Sequence, residues 1–233
     1  MRFADTIKRG MATLTGTSLT LVQNTRLSPN LAQIRFEGAI QAADWNPGDK
    51  LKLNVAGVLR SYTPSQWQDG ALQILFHLHG QGPAAQWAAQ AQVGETVSFI
   101  GPAKSLPPAQ ASDWHLLIGD PTTVGLFQAL HQSARAPCHG VVELAPEDAP
   151  ALDALGLPLK AVAQDGALEW ISDWQPPSGP GDVVLSGEAD RVRAWRDALL
   201  AQGLDKRWIR LKPYWSRRGK ARRKAVEREM KGA

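Results

Sequence analysis

Two stretches in the first half of the chain carry residue types that grip anions and planar rings. Arg60-Ser61-Tyr62-Thr63-Pro64 closes a run that reads as a strand. On extended backbone, Arg60 and Tyr62 fall on the same side. A guanidinium there can fork onto a diphosphate, and a phenol ring can lie against a planar ring system. The same residues also fit an ordinary strand end with an exposed arginine and a packed tyrosine. Sixteen residues past Thr63 begins His79-Gly80-Gln81-Gly82-Pro83-Ala84-Ala85-Gln86-Trp87-Ala88. Its glycines let backbone approach a ligand closely. Pro83 opens a helix whose N-terminus offers N–H groups and a positive dipole end to phosphate. His79 is a donor beside that turn. Trp87 fits beneath it, although a core aromatic is the commoner role. His77 and His79 share a strand face, but two histidines without a third ligand do not make a metal site.

Elements that could position these groups can be read from pattern. The runs 13–22, 31–36, 50–55, 71–78 and 96–100 are short and β-branched or alternating, with turns at Pro29-Asn30, Asn46-Pro47-Gly48-Asp49, Gln68-Asp69-Gly70 and Val93-Gly94. Together with the strand ending in the Arg60 stretch, they predict a six-stranded antiparallel barrel interrupted by one helix at 83–92. The proline-rich stretch 105–112 reads as a linker. Beyond it, strands at 115–118, 140–144, 160–163, 182–185 and 208–211 alternate with helices at 122–133 and 189–202, which predicts an α/β domain on a parallel sheet. The expected domains are residues 1–106 and 113–233.

Composition narrows the function classes. The single cysteine, Cys138, excludes an intrachain disulfide and a cysteine-ligated cluster. No run of 18 apolar residues suggests a membrane span. Polar residues from Thr13 to Thr20 break up any signal-peptide core, so a cytoplasmic protein is expected. Residues 205–233 hold twelve Lys/Arg against three Asp/Glu, and residues 1–204 hold fourteen against nineteen. This basic tail attracts anions or forms a solvated helix face, and a helical pattern runs from Lys220 onward. No nucleic-acid motif accompanies the charge.

The ordered motifs resemble the siderophore-interacting protein family, within the ferredoxin-reductase-like flavoproteins. Arg60-Ser61-Tyr62-Thr63 resembles an Arg-x-Tyr-Thr/Ser flavin motif, and 79–88 is similar to the family's His-Gly-x-Gly-Pro-Ala-x-x-Trp-Ala. Gly101-Pro102-Ala103-Lys104-Ser105 resembles Gly-Pro-x-Gly-Ser with Lys104 in place of the second glycine. Gly119-Asp120-Pro121-Thr122-Thr123 is similar to Gly-Asp-Glu-Thr-Ala, with Pro121 for Glu and with Gly125 where proline is frequent. Ser186-Gly187-Glu188 resembles Ala-Gly-Glu, where Glu188 caps a helix or orients a nicotinamide. Tyr214-Trp215-Ser216-Arg217-Arg218-Gly219 resembles Tyr-Trp-Arg-Arg-Gly.

The resemblance implies an FAD-binding barrel with Arg60, Ser61, Tyr62, Thr63, His77, His79, Gly82, Pro83, Ala84, Trp87, Gly101 and Ser105 at the flavin. It implies an NAD(P)H-binding-like domain using Asp120, Thr122, Thr123 and Glu188. It further implies a monomeric ferric-siderophore reductase in which hydride reaches FAD and electrons pass singly to Fe(III), with no acid–base catalyst required. Lys52, Lys104, Arg217 and Arg218 would dock the anionic chelate. Two alternatives stay open: a flavoprotein reductase fed by ferredoxin, and a non-catalytic module that docks through its basic tail.

Overall fold

The computed structural model describes residues 16–40, 44–80, 82–107 and 109–231. Residues 13–15 of the first expected strand lie outside these. The chain forms two compact units, 1–105 and 106–233.

The first unit is antiparallel. Its strands are β1 (Thr17–Ser28), β2 (Leu31–Glu37), β3 (Lys50–Val55), β4 (Val58–Tyr62), β5 (Gln66–Gln68), β6 (Ala71–His77) and β7 (Thr96–Ala103), with helix α1 (Pro83–Gln90) between β6 and β7. Their order across the sheet is β4-β3-β7-β1-β2-β6-β5. Among the described residues the sheet therefore has seven strands, not the expected six. The extra one, β5, is three residues long and pairs Trp67 with Leu72 of β6. So short a strand carries no readable alternation. β4 and β5 are the two sheet edges, yet only Thr63–Ser65 joins them, which spans no more than about 14 Å. The sheet must therefore curl until its edges approach, and the result is barrel-like. Leu19, Leu21, Ile34, Phe36, Leu51, Leu53, Ile74 and Phe76 point inward and are almost fully buried. Their alternation with exposed residues is the period-two pattern of a one-sided sheet.

β1 runs six residues beyond the expected Val22, to Ser28. Register shifts between Leu21 and Gln23 and between Arg26 and Ser28 break the alternation that sequence reading relies on.

The second unit holds β8 (Trp114–Gly119), β9 (Cys138–Glu143), β10 (Lys160–Val162), β11 (Gly181–Glu188) and β12 (Ile209–Trp215). Its helices are α2 (Val124–Ser133), α3 (Pro150–Ala154), α4 (Ala167–Asp173), α5 (Ala189–Ala201) and α6 (Gly219–Lys231). All strand pairs are parallel, in the order β10-β9-β8-β11-β12. Every residue of the inner strand β11 is buried, as a sheet covered on both faces demands. Sequence pattern did not anticipate α3 and α4, which have five and seven residues and lack two full turns of periodicity. The basic tail is part of the fold: α6 buries Val226 and Met230 in the same apolar cluster as Trp195 and Leu199 of α5.

Among the described residues, no helix is long and apolar enough to cross a membrane. None of their His, Cys, Asp and Glu side chains group in threes to hold a metal ion.

Candidate functional site

In the barrel unit the motif side chains lie along β4 and at the start of α1. Arg60 is exposed. Its guanidinium donates to the Leu59 carbonyl at 3.1 Å and pairs with no carboxylate among the described residues. Tyr62 is half-buried, its ring tilted against Phe76 at 4.7 Å. Burial pushes the Tyr62 phenol up to about 12, despite the opposing charge of Arg60. The phenol therefore stays neutral and acts as a ring and a hydroxyl rather than a base. Ser61 is exposed and Thr63 buried. The register places Arg60 opposite Leu53 and Tyr62 opposite Leu51, while Lys52 stands opposite Ser61. Directly paired residues share a face. Lys52, exposed, therefore lies on the Ser61 face, away from Arg60 and Tyr62.

Gly82 caps α1 at φ 95, in the left-handed region where a side chain would be strained, and no side chain caps the helix. Its first turn also lacks acidic residues. Pro83 contributes no N–H, and Ala84 turns into the core. What this terminus offers an anion is therefore backbone, not side chain. His79 is exposed, and its ring lies 5.8 Å from that of His77. Trp87 takes the core role. It stacks on Phe36 at 6.4 Å, meets Phe76 edge-on, and donates its indole N–H to Glu95 at 2.9 Å.

Most of the Gly101–Ser105 stretch is strand. Gly101 to Ala103 finish β7, and Ala103 pairs with Lys50. Lys104 donates to Asp49 at 2.9 Å and to the Asp44 carbonyl at 3.3 Å. Burial raises the Asp49 carboxyl, but the Lys104 and Asn46 hydrogen bonds outweigh this and hold it below its ordinary value. Lys104 thus ties the end of β7 to the loop before β3, with most of its side chain still exposed.

In the α/β unit, chain order runs outward from β8 in both directions, through β9 and β10 on one side and β11 and β12 on the other. The switch point therefore lies between the C-terminal ends of β8 and β11, the place where such sheets open a ligand crevice. Three motifs meet there. Asp120, 1% exposed, accepts on one oxygen from the Thr122 N–H and hydroxyl. Its other oxygen accepts from the Glu188 N–H at 2.9 Å and the Trp215 indole at 2.8 Å. Gly187, at φ 124, permits this approach, since a Cβ there would sit 2.5 Å from the Asp120 carboxylate. Thr123 bonds the Asp120 carbonyl at 2.7 Å.

Glu188 performs the capping role. It accepts from the N–H groups of Asp190 and Arg191 at the start of α5, and from that of Arg217. The carboxylates of Asp120 and Glu188 are thus spent on holding strand ends. Trp215 remains 39% exposed at the crevice edge, with Arg217 and Arg218 beside it in sequence, both exposed and without a carboxylate partner among the described residues. Trp215 was not singled out from sequence, although it stands inside the Tyr-Trp motif.

Two further polar clusters escaped sequence reading because their members are far apart in the chain. Asp182 receives a two-pronged hydrogen bond from Arg210, both prongs at 2.6 Å, and lies 2.9 Å from the His115 ring. Burial raises its carboxyl, yet the His115 and Arg210 bonds lower it further, for a net shift downward. Burial, with the Asp182 charge adding to it, pushes the Cys138 thiol up to about 11, which keeps it protonated and inert. At the C-terminal end of β9, Glu143 accepts from Arg191 and from the Ala167 N–H, while Arg191 also reaches Asp165 at 2.6 Å.

Two family models match the chain in sequence order. Residues 39–106 match the siderophore-interacting FAD-binding domain, and residues 112–218 match the siderophore-interacting protein domain. Ferric vibriobactin reductase ViuB of Vibrio cholerae is 35% identical over 94 residues, covering 39% of this chain and 35% of that protein. An uncharacterised protein of Mycobacterium tuberculosis is 31% identical over 126 residues, 51% of this chain and 42% of that one. The matches therefore span well under two thirds of these relatives. Among solved structures, siderophore-interacting protein SipS of Aeromonas hydrophila superposes with a TM-score of 0.75 at 20% identity, over 93% of this chain and 99% of that one. The FAD/NAD-binding domain of nitric oxide dioxygenase from Vibrio cholerae gives 0.68 at 18% identity, over 86% and 99%. With an antiparallel barrel-like unit and a parallel α/β unit matched in sequence order, this chain belongs to the siderophore-interacting protein family and has a ferredoxin-reductase-like fold.

Proposed function

We propose that the chain is an FAD-dependent ferric-siderophore reductase that draws electrons from a nicotinamide dinucleotide. The observation that carries this reading is the β4 edge: an exposed Arg60 guanidinium without a carboxylate partner, on the same strand face as a tyrosine ring seated on Phe76. Together with the side-chain-free N-terminus of α1, these residues fit a dinucleotide flavin. Arg60 and the backbone after Gly82 would hold its diphosphate, and Tyr62 would lie along its ring system. Bound FAD would supply the conversion from two-electron donor to one-electron acceptor chemistry.

The chain's own work is placement. Tyr62 stays neutral and excludes water from one side of the ring system. Thr122, Trp215 and the strand ends fixed by Asp120 offer the donor a preformed crevice. Arg217 and Arg218 present positive charge to an anionic substrate. Reduction to Fe(II) weakens a hard-oxygen chelate and releases the metal.

The test is the visible spectrum of the purified protein supplied with FAD, then with NADH or NADPH, and then with a ferric catecholate. The expected outcome is a yellow protein that bleaches with a nicotinamide and regains colour with the chelate. A colourless protein that takes up no FAD overturns the proposal, and bleaching by reduced ferredoxin alone moves the donor to that class.

A further inference from the structure

We propose that the α/β unit selects NADH over NADPH, and that the acidic surroundings of the β9 C-terminal end, focused on Glu143, Arg191 and Asp165, set the preference. The inference rests on the dinucleotide reading of the crevice given above and deepens it.

In a sheet of this topology a dinucleotide lies across the C-terminal strand ends. Its diphosphate sits near the switch point, and its adenosine ribose lies over the end of the next strand outward from the first. That strand is β9, and its last residue is Glu143. The ribose 2′ position distinguishes the two donors. NADH carries a hydroxyl there, and NADPH carries a phosphate with close to two negative charges, which an arginine must accommodate.

Arg191, from the first turn of α5, reaches this end. Its guanidinium is bound to Glu143 on one side and to Asp165 on the other. Glu143 is 3% exposed and takes a further bond from the Ala167 N–H, so Arg191 is pinned from below. The trio carries two carboxylates against one guanidinium. A 2′-phosphate would have to displace Asp165 and would still face Glu143.

Charge along the surrounding chain has the same sign. Between Glu143 and Pro180, the stretch that builds the ends of β9 and β10, there are seven carboxylates: Glu143, Glu147, Asp148, Asp153, Asp165, Glu169 and Asp173. Lys160 is the single cation. It pairs with Val141 at the start of β10, below the strand end. Such a field leaves a neutral ribose hydroxyl unaffected and repels a phosphate.

The test uses the FAD-supplied protein and two adenosine probes, 5′-AMP and 2′,5′-ADP, by isothermal titration at low ionic strength. NAD+ and NADP+ follow as the full-length pair. We expect 2′,5′-ADP to bind at least tenfold more weakly than 5′-AMP, and NADP+ to trail NAD+ by a similar factor. Asp165→Asn should narrow the gap about threefold or more. Asparagine keeps the left-handed backbone at this position (φ 68) and frees one edge of Arg191. Glu147→Arg, an exposed change, should narrow it further. Both variants should melt within a few degrees of the parent.

Equal or tighter binding of 2′,5′-ADP overturns the proposal, as does failure of 5′-AMP to bind or a gap untouched by both variants. If neither NADH nor NADPH reduces bound flavin, the nicotinamide reading itself falls, an outcome separate from any result with the adenosine probes.

Discussion

The two units treat their polar residues in opposite ways. In the barrel unit, Arg60 and Lys52 stand on the surface without carboxylate partners among the described residues, and α1 begins without a side-chain cap. In the α/β unit, Asp120, Glu188, Asp182 and Glu143 are buried, and each receives two or more hydrogen bonds. Motifs of similar strength in sequence thus do different jobs. In the barrel, Arg60, Ser61 and His79 stay exposed, where a ligand would satisfy them. Those of the α/β unit fix the ends of β8, β11 and β12 through hydrogen bonds within the protein. Substitutions should separate the same way: barrel motifs should change binding, and α/β motifs should change stability.

The largest effect should come from Asp120→Ala. It strips partners from the Thr122 N–H, the Glu188 N–H and the Trp215 indole at once. A loss of about 3–5 kcal/mol is expected, the usual range for breaking a buried charged network. Urea unfolding of the full chain, followed by tryptophan fluorescence, reads it. A midpoint unchanged from the parent would break the contrast between the units.

Asp182→Asn comes next and has a pH signature. The folded carboxyl sits below its ordinary value of about 3.9. A depressed acid contributes stability that is fully present above the unfolded pKa and drains as pH falls through the folded one. The parent should therefore lose stability steeply below about pH 4, and Asp182→Asn should flatten that slope while costing about 2–4 kcal/mol at neutral pH, because Arg210 is left buried. An identical acid limb in the two proteins would show that Asp182 contributes no linkage.

Arg60→Ala should do the reverse of both. With no carboxylate partner to orphan, apo stability should move by no more than about 0.5 kcal/mol. FAD affinity should fall on the order of 10- to 100-fold, as expected for removing a charge-assisted bond to phosphate. Thermal melts without flavin and fluorescence titration with it provide the two numbers.

How much of this was legible in the sequence follows the same division. Alternation in β2, β3 and β6 and the alternating strand–helix rhythm after residue 113 are local signals, and they gave both sheets. Arg60, Tyr62 and the Gly82–Pro83 helix start are also local, because a strand end and a helix cap act within a few residues. The failures were non-local. Asp120 meets Trp215 across 95 positions, and Asp182 meets Arg210 across 28. No spacing rule connects such pairs. The Lys104–Asp49 pair likewise joins residues 55 positions apart. The strand β5 and helices α3 and α4 are too short for a period to show.

Lys52 offers the finest test of the contrast, because register separates it from its neighbours. It pairs with Ser61, so it lies on the opposite face of β4 and β3 from Arg60 and Tyr62. A charge on that face can steer an anionic chelate without touching the flavin diphosphate. Lys52→Glu should leave FAD affinity unchanged and weaken ferric-catecholate binding by about three- to tenfold at low salt, with the difference fading near 0.15 M as the field is screened. A parallel loss of FAD affinity would mean that Lys52 reaches around the strand edge to the Arg60 face. The two faces would then act as one site, and the flavin-holding role of β4 could not be separated from its substrate-steering role.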